Sequence, residues 1–465
     1  MRANSPSVPL VLVSLLWTAH AIAQQTSAGQ SPPLASEPQV TGQPVPVPPP
    51  ALPTAPAAGA KEEKKKEDAS QLVELYGKVY PQMMAPTSGL WHPALFSNRG
   101  ATPAGTPVST LSAPPAGTNG IMREIEFASS NSRFGLRGHQ RLPGGDLRAI
   151  FQLETQFSIE GATSAAPVFG TRDSWVGLSS NRWGTLKLGR FDTPFKDYGD
   201  ETSFLGVSSG NFTSTSAVFR RPGFGTSNAS RFHERRPNAA QFESPEFYGF
   251  DFAVQYSSDL ARTATRDPHV WSGGLRWTRG EFEVAVAHEI HNDIFGGSRN
   301  VPKGLSNFED LSVNAVDRAS SLMLKYKLGI FTFEFDVNDK RYNENSITPA
   351  KFHSYRNNAY EAIWDARWTQ NWRTAAHYVA ATAGTCTLVD APCTTKGLDG
   401  SQVSVGLAYH FSRPTYVFGM ASWIRNGPSA RFQEGGVQDV NVGEDLTQYA
   451  VGIHHAFDVS LFERP

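Results

Sequence analysis

From Leu72 onward, apolar and polar residues alternate with a period of two. Val403, Val405, Leu407, Tyr409 and Phe411 share one face of a segment whose other face carries Gln402, Ser404, Gly406, Ala408 and His410. The same rhythm recurs at Phe250–Phe252–Val254–Tyr256, Leu322–Leu324–Tyr326–Leu328, Phe331–Phe333–Phe335–Val337 and Tyr449–Val451–Ile453. A period of two predicts strands with one apolar face. Sixteen strands follow: 72–82, 131–141, 147–159, 172–180, 185–194, 235–245, 250–259, 269–279, 282–293, 317–328, 331–342, 357–369, 372–382, 400–412, 415–426 and 445–457.

The connections decide between a soluble sandwich and a barrel. After the first strand, the strands pair through short turns: 143–146, Asn181-Arg182-Trp183-Gly184, Arg279-Gly280-Glu281, Gly329-Ile330 and Ser412-Arg413-Pro414. Long polar connections separate the pairs. Short turns at one end and long loops at the other, with tryptophans (among them Trp175, Trp183, Trp271, Trp277, Trp364 and Trp372) near strand ends, predict an all-β transmembrane antiparallel barrel. An even strand count returns both ends of the barrel to the periplasmic side. No segment after the N-terminal region carries 18 consecutive apolar residues, which argues against a helical membrane protein.

The N-terminal region reads differently. Arg2, the apolar run Val8–Trp17 and Ala21-Ile22-Ala23 have the order of a signal peptide over 1–23, implying export. Residues 24–71 form a linker. Ten of the 37 residues at 24–60 are Pro, so no core forms there, and Lys61 to Asp68 is a dense charge run. The run reads as a solvated spacer, with a periplasmic tether touching the cell wall as the sharper alternative. The barrel domain is then 72–465.

Composition adds little: 39% hydrophobic residues, 41 Gly, 29 Phe and a net charge of −1 suit either kind of β-protein. The charge balance argues against a nucleic-acid partner. Cys386 and Cys393, close together in a Gly/Thr/Pro-containing stretch, are expected to form a loop-stapling disulfide in an oxidising compartment. No cofactor or metal site is expected. His288-Glu289-Ile290-His291 has one residue too few between its histidines for the helical zinc-protease motif. His454 and His455 point to opposite strand faces. No nucleophile elbow or phosphate-cradling loop is present, so an enzyme is not expected.

Ser132-Arg133-Phe134-Gly135-Leu136-Arg137-Gly138, and then Asp146-Leu147-Arg148-Ala149-Ile150-Phe151-Gln152-Leu153-Glu154, resemble the general diffusion porins of Gram-negative bacteria. So do Val176-Gly177-Leu178-Ser179, Gly184-Thr185-Leu186-Lys187-Leu188-Gly189-Arg190, Glu243-Ser244-Pro245 and the opening Leu75-Tyr76-Gly77-Lys78-Val79. The resemblance implies a sixteen-stranded outer-membrane barrel, usually a homotrimer, whose third long loop folds inside as a constriction. Three departures stand out. The connection 83–130 is long enough to shield the mouth or hide extra strands. Gln241 stands where the family commonly has an arginine. The chain also continues past Phe457, where such porins normally end on the aromatic.

A diffusion channel needs a wet constriction lined by fixed charges. Alternation places Arg133, Arg137, Arg148, Gln152, Glu154 and Lys187 in the lumen. For Arg190, strict alternation points outward, and the family's wall arginine requires a bulge near Gly189. Arg235 opens the strand after the third loop, and Gln241 follows on that strand. The resemblance carries onto Asp197, Asp200 and Glu201 the role of loop carboxylates facing the wall arginines, against a bland reading as exposed loop charges. The arginine-rich wall tilts the expectation towards weak anion selectivity. Three functions stay open: a general porin passing small hydrophilic solutes, a channel selective for an anionic solute, and an adhesin or envelope-tethering barrel.

Overall fold

The computed structural model describes residues 69–87, 100–118, 125–129, 132–143, 145–157, 172–199, 214–259, 261–433 and 440–464. The signal-peptide and linker assignments over 1–68 lie outside the described residues.

Among the described residues, nineteen strand segments follow in order. The first seven are β1 (Gln71–Val79), β2 (Gln82–Thr87), β3 (Glu126–Ala128), β4 (Arg133–Arg141), β5 (Arg148–Gln156), β6 (Ser174–Ser180) and β7 (Gly184–Asp192). The next six are β8 (Arg235–Glu243), β9 (Phe250–Ser258), β10 (His269–Arg279), β11 (Phe282–Asn292), β12 (Val316–Leu328) and β13 (Phe331–Asn343). The last are β14 (Phe352–Arg367), β15 (Trp372–Ala381), β16 (Thr385–Leu388), β17 (Gly400–His410), β18 (Thr415–Asn426) and β19 (Leu446–Arg464).

These segments make a closed antiparallel barrel of sixteen staves. β1 and β2 are two parts of one stave: β19 pairs with β1 through its C-terminal half and with β2 through its N-terminal half. The interruption falls at Tyr80-Pro81, because Pro81 has no N–H for the ladder, although its carbonyl still accepts from Ile453 N at 3.0 Å. β3 and β4 likewise share a stave, pairing with β2 and β1. β16 is a short extension that pairs with β14 on the loop side. The β1–β19 seam closes the ring of sixteen staves.

The first connection, left open between a mouth shield and extra strands, and the end of the last strand, expected at Phe457, are both defined by the ladder. The connection after the first strand is partly strand, with β2 and β3 at its ends. Residues 100–118 between them dock on other loops: Thr102 N donates to Val442 O (2.8 Å), Ser109 N to Ser429 Oγ (2.8 Å) and Thr110 N to Thr394 O (3.0 Å). The last strand does not stop at Phe457. It pairs residue by residue with β1 to Gln71↔Arg464, past a bulge at Val73/Glu74 that absorbs Leu461. Val459 and Leu461 continue the apolar outer face, and Asp458 faces the lumen on Arg137 (2.7 Å).

Apolar residues face outward: Leu153, Val176, Leu178, Leu186, Leu188, Val254, Leu275, Phe335 and Val451 are all exposed. Polar residues alternate inward, among them Glu289, Asp336, Glu361, Gln402 and Ser404, all buried. This inversion of the soluble pattern is what a lipid-embedded barrel requires.

Candidate constriction

Two described arms of the connection between β7 and β8, residues 193–199 and 214–234, lie in the lumen, and hydrogen bonds hold each of them to the wall. Beyond Asp192 the first arm forms a single turn, α1 (Pro194–Asp197), started by Pro194. Phe195 N donates to Ser272 Oγ on β10 (2.9 Å), and the Tyr198 hydroxyl donates to Asp251 on β9 (2.7 Å). Asp200 and Glu201 lie outside the described residues. The second described arm carries another turn, α2 (Ser216–Phe219), held on β13 and β14. There the Thr215 hydroxyl donates to Glu361 on β14 (2.5 Å), and Lys340 Nζ on β13 donates to Phe219 O (2.7 Å). On the way back, the Tyr342 hydroxyl holds Ser230 O at 2.6 Å. Arg220, fully buried, ties the two arms together: it donates to Gly199 O (3.2 Å) with its guanidinium over the rings of Phe195 (4.8 Å) and Phe219 (4.6 Å).

At the root of this loop lies an ion-pair network. Glu154 is nearly inaccessible; it accepts from Arg172 (2.6 Å) and from Tyr76 (3.0 Å), and Arg133 forms an ion pair with it at 3.2 Å. Arg235 pairs with Asp173 (2.5 Å) and Asp192 (3.0 Å), and Lys196 also reaches Asp192 (3.0 Å). Lys187 pairs with Glu243 and lies over Trp175 and Phe191. Gln241 Nε2 donates to the same Glu243 at 2.6 Å. Below them Arg137 bridges Glu74 (3.0 Å) and Asp458, over the Tyr76 ring.

The far wall carries the other sign. Asp336 and Glu361 stand directly opposite each other on β13 and β14, with Glu334 and Asp365 on the same face. Asp365 is paired with Arg373 (2.8 Å). Arg276–Asp251 (3.0 Å) and Lys325–Glu283 (3.3 Å) are cross-strand pairs on the intervening wall. Cations thus concentrate along β1, β4 and β7, and carboxylates along β13 and β14, with the loop between them.

Among the loop groups that titrate away from their usual range, Asp197 and His233 bear on the site. Asp197 is exposed, yet the protein packed around it, and then the Asp192 carboxylate, raise its pKa to about 8. His233 is buried, and burial, then Lys196 and Arg231, push its pKa well below the usual value. A neutral ring matches its geometry, since Nδ1 lies 2.8 Å from the Arg231 guanidinium and accepts from it.

The predicted residues separate on this framework. Arg133, Glu154, Lys187, Asp197, Arg235 and Gln241 lie together at the loop's root, and Arg137 lies just below. Arg148 faces the lumen at the far, short-turn end of β5, six residues along the strand from Glu154. Arg190 is a correction. Its register row, Leu153–Ser174–Arg190, is the outer face, while Lys187 and Phe191 share the inner one. A bulge is present opposite Gly189–Phe191, but the extra residue belongs to β8, where Asn238 has φ 49°. β7 therefore keeps its alternation and leaves Arg190 outside.

Arg172, Asp173, Asp192, Lys196 and Tyr76 belong to the network but not to the predicted set. Tyr76 and Lys78 follow from first-strand alternation opposite Leu75 and Gly77. The others sit at strand ends and in loops, where alternation carries no information. Cys386 and Cys393 are bonded, closing a small loop beyond β16. Among the described residues, no His/Cys/Asp/Glu cluster could hold a metal ion.

The family model for Gram-negative porin matches residues 109–429. An outer membrane porin protein of Bordetella pertussis is 29% identical over 181 residues, covering 36% of this chain and 44% of that protein. A major outer membrane protein P.IB of Neisseria meningitidis serogroup B is 27% identical over 191 residues, 38% of this chain and 50% of that protein. The chain spans about half the length of these curated relatives. An anion-selective porin from Comamonas acidovorans shares the fold at a TM-score of 0.60 and 19% identity, covering 83% of this chain and all of that one.

Proposed function

The chain belongs to the Gram-negative porin family, and from that premise we propose that it is a passive diffusion channel of the outer membrane. The observation that carries this reading is the β7–β8 loop, whose described arms are anchored inside a polar lumen on β9–β10 and on β13–β14. Such a loop narrows the passage without plugging it by a separate domain, and fixed charges then sort solutes by size and sign. The channel is weakly anion-selective. Lys78, Arg133, Arg137 and Lys187 line one side, and the far-wall carboxylates are partly engaged by the loop and by Arg373. The fold neighbour from Comamonas acidovorans, itself anion-selective, is in keeping with that sign.

Reversal potentials in planar bilayers under a salt gradient test both parts. Ohmic conductance with an anion-sign potential is expected. A cation-sign potential overturns the selectivity, and conductance that saturates with one anionic solute favours a substrate-selective channel. Absence of conductance overturns the diffusion reading in favour of an adhesin or tether.

Two assembly features belong to the same reading. The protein acts as a homotrimer in outer-membrane lipid, supported by family membership, and cross-linking that stops at a monomer would refute this. Residues 24–68 form a periplasmic arm able to reach the cell wall. Deleting them without changing co-sedimentation with the wall would remove that role.

A further inference from the structure

The outer wall of the barrel carries a basic row where its apolar surface ends. On β11–β14, Ile290, Arg318, Arg341 and Arg356 stand opposite one another in register, two or more residues in from the long-loop ends of their strands. The next row towards mid-barrel is His288, Ser320, Asp339 and Asn358. The one after is Val286, Leu322, Val337 and Tyr360, where the apolar surface begins. All three arginines are exposed, while Lys340 and Tyr342, flanking Arg341, are buried on the inner side. Arg341 (2.8 Å) and Arg356 (2.7 Å) share the single carboxylate of Asp339. The row therefore carries more positive than negative charge beside lipid.

A groove of about 620 Å³ lies next to this row on the outer face of β9–β12. Val254, Trp271, Leu275, Val286 and Ile290 line it. It passes over Gly273, which pairs with Val254 and His288 and leaves a gap in an otherwise apolar wall. A side chain there would meet little: the nearest atom to an added Cβ is Val254 Cγ1, at 3.5 Å.

We propose that the Arg318–Arg341–Arg356 row and this groove form a binding site for a phosphate-bearing lipid of the extracellular leaflet. It rests on the outer-membrane reading above, which puts the long loops outside. Guanidinium groups on a lipid-facing strand are tolerated only near the interface, and there they attract anionic headgroups. Neighbouring strands are ~4.8 Å apart, so adjacent arginines can clasp one phosphate with forked N–H donors. The groove takes an acyl chain, which a soluble phosphate lacks.

The full-length protein in phosphatidylcholine nanodiscs, titrated with a phosphorylated glycolipid and with its dephosphorylated form, tests the site. Binding is followed by native mass spectrometry. The wild type is expected to prefer the phosphorylated form, and Arg318→Gln, Arg341→Gln and Arg356→Gln together to weaken it on the order of a hundredfold. Gly273→Leu, with every arginine intact, is expected to weaken binding of both forms by filling the groove. Millimolar inorganic phosphate is expected to leave the lipid in place. The site is overturned if the triple variant binds within twofold of wild type, if both lipid forms bind it equally, or if inorganic phosphate displaces the lipid. Bilayer conductance, measured in parallel, separates the readings: normal conductance without lipid preference sinks this site alone, and absent wild-type conductance sinks the channel.

Discussion

Glu154 is the point where the charge of the constriction and the stability of the barrel meet, so Glu154→Gln tests both. The carboxylate is buried and shared by Arg133, Arg172 and Tyr76. Replacing it with an amide keeps the shape and one acceptor but leaves two guanidinium groups facing each other without their anion. Breaking a buried pair by neutralising one partner costs about 3–5 kcal/mol, and the partial exposure of Arg133 brings the expectation here to roughly 2–3 kcal/mol. The electrical effect is separate. A unit charge about 8 Å from the ion path is worth ~0.5 kcal/mol at the dielectric of water. Removing a negative charge favours the anion and disfavours the cation by that amount, a difference of ~1 kcal/mol. One Debye length of screening reduces this to a roughly twofold rise in the anion-to-cation permeability ratio. The ratio follows from the reversal potential in a potassium chloride gradient, and the stability loss from the temperature at which the folded band disappears on a gel. A ratio that stays constant, or moves towards cations, would refute the placement of Glu154 beside the ion path.

The remaining expectations are narrower. Raising the pH through about 8 ionises Asp197 and adds a negative charge beside the loop, so cation preference should increase between pH 6 and pH 10. Asp197→Asn should flatten that change, and an unchanged profile in the variant would assign it to another group. Truncation after Phe457 removes the partners of Gln71–Tyr76 and the Asp458–Arg137 pair; membrane assembly should fail, and normal levels of folded protein would show that the shorter seam suffices. Replacing Cys386 and Cys393 with Ser removes about 2.5 kcal/mol of loop constraint. Proteolysis within 382–399 should quicken while conductance holds, and equal protease resistance would show that docking on Thr110 already fixes this loop.

How far the sequence could be read follows from where alternation has force. In β5, Leu153 and Glu154 need opposite environments, lipid and lumen, so each residue fixes the orientation of the next, and the strand is legible without any structure. The same holds for Lys187 between Leu186 and Leu188. The rule fails wherever a neighbour intervenes. Met83 and Met84 lie beyond Pro81, and only the β19 ladder shows that their segment continues the first stave. At Arg190 alternation within β7 already points outward, and it is the family's wall arginine that does not carry over, because the bulge it requires has its extra residue near Asn238 on the partner strand.

The loop residues fail for a different reason. Arg172, Asp173 and Asp192 lie at the ends of the predicted strands 172–180 and 185–194, and Lys196 lies beyond them; charge alone does not distinguish a solvated strand end or loop from a network root. What brings them together is the inward course of the β7–β8 loop. That course is fixed by long-range contacts such as Tyr198 with Asp251 and Thr215 with Glu361, the latter 146 residues apart. The wall could therefore be read from local pattern, whereas the constriction is a tertiary property. Its charges acquire their function only after the barrel has closed around them, and selectivity is accordingly the feature on which related barrels are free to differ.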